Sequence, residues 1–101
     1  DTTRIINEGL AMIEKEFGQK LSENSLGCTR MMSHMYYMIV RTRKGEPTNM
    51  DFNDFIFEHY PKTGEVAKKV CEYMEKALKL PIAKEEIGFL AIHIQRVITP
   101  Q

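Results

Sequence analysis

Lys84-Glu85-Glu86-Ile87-Gly88-Phe89-Leu90-Ala91-Ile92-His93-Ile94 is the stretch whose periodicity decides the fold class. Ile87, Leu90, Ala91 and Ile94, followed by Ile98, fall on one side of a helix, while Glu85 and Glu86 stand where the positive end of the helix dipole favours acids. The spacing predicts a helix from about Lys84 to about Ile98. Immediately upstream, Val66, Val70, Tyr73, Met74, Ala77 and Leu78 share a second apolar face opposite Lys and Glu, in a helix that must stop before Pro81. Before it, Asp51 reads as the cap of a short helix bearing Phe52, Phe55 and Ile56, closed by Tyr60-Pro61 because proline restricts the residue in front of it.

The N-terminal half follows the same period. A long segment running to Lys44 and ended by Gly45 and Pro47 carries Met31, Met35, Met38 and Ile39 as one stripe. Tyr36 and Tyr37 broaden that stripe, the pattern of a helix buried on more than one side. Ile6, Leu10, Ile13 and Phe17 mark a first helix over about Thr3 to Phe17, with Gly18 where a C-terminal cap belongs. No alternating period-two run and no internal repeat occurs, so the chain is expected to be all-α, a compact antiparallel bundle of about five helices. Its core is expected from the second, fourth and fifth helices through Met35, Ile39, Val70, Met74, Leu90 and Ile94.

Composition narrows the function classes. With 101 residues, 43% apolar and 28% charged, the chain suits one globular domain and is far from the composition of disorder. Lys plus Arg equals Asp plus Glu at 14 each, which leaves no net positive field to gather nucleic acid or anionic lipid. No apolar run approaches the roughly 20 residues needed to cross a bilayer, and the start DTTRIINEGL has no signal-peptide pattern, so a cytoplasmic protein is expected. Cys28 and Cys71 are expected to be buried free thiols. Together with His34 and His59 they are spaced too irregularly for a local ligand pair, so no metal or other cofactor is expected.

Two histidines sit beside arginines at helical spacing. His34 and Arg41 are seven residues apart, which returns them to within roughly 20 degrees of one face, with Tyr37 between them. Glu86, Phe89, His93 and Arg96 likewise share an edge of the last helix, beside its apolar stripe, so His93 belongs at a core boundary. A neutral imidazole supplies a nucleophilic nitrogen, and a guanidinium offers a planar fork to phosphate oxygens, so each pairing suits a phosphoacceptor. His59, at the end of the short helix, suits the negative end of the dipole instead.

The stretch from Lys84 to Ile94 resembles the second histidine motif of PTS regulation domains: an acidic pair, then aliphatic, small, aromatic, aliphatic, variable and aliphatic residues, then histidine and an aliphatic. Arg30 to Arg41 is similar to the family's first motif, a histidine followed by a hydrophobic residue, an aromatic two or three residues on and an arginine seven on. Tyr60-Pro61 with Gly64-Glu65-Val66-Ala67-Lys68-Lys69-Val70 resembles the connecting helix. One departure is Ser33, where some copies of the module place Asp directly before the first histidine.

The resemblance implies a non-enzymatic regulatory module of a bacterial sugar-responsive transcriptional antiterminator or activator. It implies that the phosphocarrier HPr, or a sugar-specific enzyme IIB, phosphorylates His34 or His93, with Arg41 and Arg96 stabilising the phosphate. Phosphorylation would then control homodimer packing, and nucleic acid would be bound by a domain outside this chain. Because Asp1 is not methionine and Pro100-Gln101 stops directly after a helical pattern, residues 1–101 read as a single module of a larger regulator. The competing reading is a structural dimerisation bundle whose histidines are never modified; the long apolar second helix suits a homodimer in either case. A small metal- or histidine-dependent enzyme ranks last, for want of clustered carboxylates, a nucleophile elbow or a glycine-rich phosphate loop.

Overall fold

Local capping sets most helix ends. In the computed structural model, which describes residues 1–48 and 50–98, five α-helices follow one another: α1 Thr2–Phe17, α2 Leu26–Lys44, α3 Asn53–His59, α4 Pro61–Leu78 and α5 Glu85–Val97. The Pro100-Gln101 end lies outside the described residues. The Asp1 carboxylate accepts from Thr3 N and Arg4 N to open α1, and the Ser25 hydroxyl accepts from Cys28 N to open α2. Gly18 and Gly45, at φ 62 and 68, close the same two helices in the left-handed conformation that glycine adopts without strain. The cap of α3 is Phe52 rather than Asp51 and makes no side-chain cap bond, while Asp51, one residue earlier, accepts from Asn53 N at 2.9 Å through Oδ1. Tyr60-Pro61 both ends α3 and begins α4, with Pro61 in the first turn where a missing N–H is harmless.

Four helices close a ring in which every neighbour runs antiparallel. Arg43 reaches Thr2 between α2 and α1, Lys69 reaches Glu16 between α4 and α1, and Thr63 reaches Gln95 between α4 and α5. Arg41 reaches Glu86 near one end of the α2–α5 pair, while Gly27 approaches Val97 near the other. The short α3 lies on α4 and α5. Met35, Ile39, Val70, Met74, Leu90 and Ile94 are all fully buried, as expected, and α1 adds Ile5, Ile6, Leu10 and Ile13. Among the described residues no helix is long and apolar enough to cross a membrane.

Where the apolar pattern overreached, the reason is the number of neighbours. Tyr36 and Tyr37 are 48% and 59% exposed rather than buried, because α2 packs chiefly against α1 and α5 and none of the described residues covers its outer face. Phe55 and Ala77 are exposed for the same reason, on the outer sides of α3 and α4. Cys28 and Cys71 are both buried free thiols. Burial pushes the Cys71 thiol up to about 12, with Glu86, Glu75 and Glu72 adding to the rise, so it is no nucleophile.

Candidate functional site

The antiparallel α2–α5 seam brings the two histidines into one site. The His34 and His93 rings stack with centroids 4.5 Å apart and planes 28° from parallel. Both residues are partly buried, at the boundary between core and solvent, as expected for His93 from its place beside the apolar stripe. Phe89 lies 6.2 Å from the His34 ring on one side and meets Phe52 edge-on at 5.2 Å on the other, so α3 buttresses the site through an aromatic contact. His34, Arg41, Pro47, Thr48 and Phe89 line a cavity of about 300 Å³ that opens beside the histidine pair.

Arg41 does not wait there unpaired. Its Nε donates to Glu86 Oε2 at 3.0 Å and its Nη2 to Glu86 Oε1 at 2.8 Å, a bidentate pair in which the Glu86 side chain is only 2% exposed. The hydrogen bond from Arg41 to Glu86 is the first cause of the raised Arg41 pKa. Glu86 is thus a partner of the site rather than merely an acid at the start of α5. The signal for this lay in the sequence: His34 to Arg41 and Glu86 to His93 are both intervals of seven. Two antiparallel helices that set His34 against His93 must therefore set Arg41 against Glu86. Reading each helix alone hid it.

Arg96 lies one turn beyond His93, exposed, and among the described residues it makes no ion pair or side-chain hydrogen bond. Its charge reaches the ring of His93. His59 is elsewhere on α3, its ring 4.5 Å from that of Phe55, and takes no part in the pair. Asn53, which periodicity did not single out, ties α3 to the first turn of α5: its Oδ1 accepts from Gly88 N at 2.8 Å and its Nδ2 donates to Lys84 O at 2.9 Å. Lys84 offers no side-chain cap, so Asn53 supplies from another helix what α5 lacks locally.

Electrostatics keep the pair neutral. Burial first, then the neighbouring His93 and Arg41, push the His34 ring from its ordinary 6.5 down to about 4. Burial and Arg96 lower His93 as well. Among the described residues His34 Nε2 and His93 Nδ1 are buried without a hydrogen-bond partner, so a second proton on either ring would add a charge that no neighbouring group accepts. At neutral pH each ring therefore carries an unprotonated nitrogen, the form that acts as a nucleophile.

A pH dependence follows, with its sign fixed by the direction of the shift. The folded value of His34 lies below the unfolded one, so between pH 6.5 and about 4 the unfolded chain binds more protons and stability falls with falling pH. The loss from this residue should be on the order of 3 kcal/mol and level off below that window. Urea midpoints measured from pH 7 to pH 4.5 should drop steeply in the wild-type chain and less steeply in His34→Gln. Equal slopes in the two would place the acid sensitivity elsewhere.

Comparison with known proteins gives the family. The PRD domain profile matches residues 7–97, which takes in all four residues of the seam. The GlcA/glcB genes antiterminator of Staphylococcus carnosus is 30% identical over 95 residues, covering 92% of this chain and 33% of that protein. Transcription antiterminator LicT of Bacillus subtilis is 29% identical over 101 residues, covering 95% of this chain and 36% of its own length. Protein GlcT of Staphylococcus haemolyticus is 28% identical over 93 residues, 90% of this chain and 33% of that protein. The chain spans about a third of the length of the curated relatives it matches. With the helical bundle, the two histidine-bearing helices and a profile match over nearly its whole length, the chain belongs to the PRD domain family and is a regulatory domain rather than an enzyme.

Proposed function

We propose that the domain is the phosphoacceptor module of a sugar-responsive transcriptional antiterminator or activator in the cytoplasm, with His34 and His93 as acceptors. The observation that carries the reading is the stacked, neutral histidine pair at a half-open seam, with a cavity beside it and Arg41 on the cavity wall. HPr or a sugar-specific enzyme IIB supplies the phosphoryl group. With HPr as donor, the lone pair of an unprotonated ring nitrogen closes on phosphorus as the donor's N–P bond breaks. The donor imidazole leaves with that bond's electrons, and a proton lost from the acceptor ring's other nitrogen restores the donor's N–H. The group gained carries close to two negative charges, by analogy with other phosphoresidues, and new acceptor oxygens. Arg96 is free to meet them at once; Arg41 can do so only by loosening its hold on Glu86.

The change in charge pairing at the seam would bias how two copies of the domain pack, and the homodimer would pass the signal to a nucleic-acid-binding domain outside this chain. Tyr36 and Tyr37, exposed on the outer face of α2, suit such an isologous contact. Incubation with phosphoenolpyruvate, enzyme I and HPr or enzyme IIB should introduce acid-labile, base-stable phosphate, and His34→Ala with His93→Ala should abolish it. Unchanged incorporation in the double variant would refute the assignment and turn attention to His59. A purely structural dimerisation bundle would take up no phosphate at all.

A further inference from the structure

Because the two rings stack on each other, we propose that the His34–His93 pair accepts one phosphoryl group in total, so that modification of either ring closes the other. This rests on the phosphoacceptor reading above and adds the capacity of the site. Each ring buries one nitrogen, Nε2 of His34 and Nδ1 of His93, so a donor meets each ring at its other nitrogen, in the tautomer that leaves that nitrogen unprotonated. The centroids are 4.5 Å apart, so two phosphorylated rings would carry two nearly divalent anions on rings in direct contact. Repulsion scales with the product of the charges, about four times that between unit ions at the same separation, and partial burial weakens its screening.

The local cations do not cover two such groups. Arg41 is held by both oxygens of the buried Glu86, and Arg96 carries the other positive charge near the pair. Two guanidinium groups less one carboxylate leave a single net positive charge at the seam, which matches one phosphoryl group better than two. The first transfer exchanges one N–P bond for another, from the donor imidazole to the acceptor ring, and its charge is met by Arg96 or by Arg41 released from Glu86. A second transfer would bring an equally charged donor phosphate against the first, with no further cation beside the rings among the described residues. Two donors that prefer different rings would then be mutually exclusive inputs to one domain.

The experiment counts phosphoryl groups on the intact chain. Wild type, His34→Gln and His93→Gln are incubated with phosphoenolpyruvate, enzyme I and excess HPr, and read by mass spectrometry at neutral pH. One group per chain is expected for each, with the doubly modified wild-type species below about a tenth of the total. Mapping of the singly modified wild type should locate phosphate on His34 in some molecules and His93 in others, a readout that needs no variant to fold. Accumulation of two groups per wild-type chain, one on each ring, would overturn the proposal while leaving both histidines as acceptors. Mapping to one histidine alone would overturn it equally, and uptake by none of the three proteins would remove the acceptor reading beneath it.

Discussion

Arg41→Ala should destabilise the folded chain by about 3–5 kcal/mol, because it removes the sole ion-pair partner, among the described residues, of a carboxylate that is 2% exposed. The family resemblance implies a phosphate-stabilising role for Arg41, and the structure adds a second partner, the buried Glu86. Arg41 is itself 27% exposed and its removal alone uncovers little apolar surface. The loss comes from Glu86, left charged in a site that offers it no other cation. For a domain of this size a change of that order lowers the melting temperature by more than about 12 °C. Thermal denaturation would check it, and Arg41→Ala combined with Glu86→Gln separates the causes. If the stranded charge is responsible, the double variant should regain at least half of the loss. A double variant no more stable than Arg41→Ala would show that packing of the arginine stem, not charge, holds this end of the seam.

Gly88→Ala offers a test in which local and tertiary reasoning predict opposite signs. Gly88 is inside α5, and on helix propensity alone alanine there should stabilise by about 1 kcal/mol. A Cβ at this position, however, would lie 2.6 Å from Asn53 Oδ1, 3.0 Å from Asn53 N and 3.0 Å from the carbonyl carbon of Phe52. Two of those atoms are backbone, so the start of α3 would have to move away from α5. The hydrogen bonds from Gly88 N and to Lys84 O would be lost or stretched with it. Overpacking typically costs about 1–3 kcal/mol and each hydrogen bond about 1 kcal/mol, so a net destabilisation of about 2 kcal/mol is expected despite the propensity gain. The effect should also be felt at the site, since Phe52 and Phe89 meet across the same contact. A urea midpoint unchanged or raised in Gly88→Ala would mean that α3 is free to shift, and that Asn53 does not fasten it.

Both predictions turn on contacts between helices, which helical periodicity does not specify. Within a helix the sequence was explicit. Ile6, Leu10, Ile13 and Phe17 lie on one face because a helix repeats every 3.6 residues, and Gly18 and Gly45 end their helices because a left-handed residue suits glycine. The same periodicity named the buried positions Met35, Ile39, Val70, Met74, Leu90 and Ile94. These are local facts: backbone geometry fixes which side chains share a face, whatever packs on it.

What covers a face, and what stands across from it, is not local. Tyr36 and Tyr37 extend an apolar pattern, yet they are exposed because the chain supplies no helix to that side of α2. His34 and His93 read as two sites, each with its own arginine, and become one stacked pair only when α2 and α5 align antiparallel. That alignment also commits Arg41 to Glu86 and sets Asn53 against the first turn of α5. Five helices, their buried stripes and the two histidine motifs are legible in the residues alone, since each depends on neighbours within a few turns. The pairing of the histidines, the burial of Glu86 and the close approach at Gly88 emerge only on packing, because they depend on the register between elements far apart in the chain.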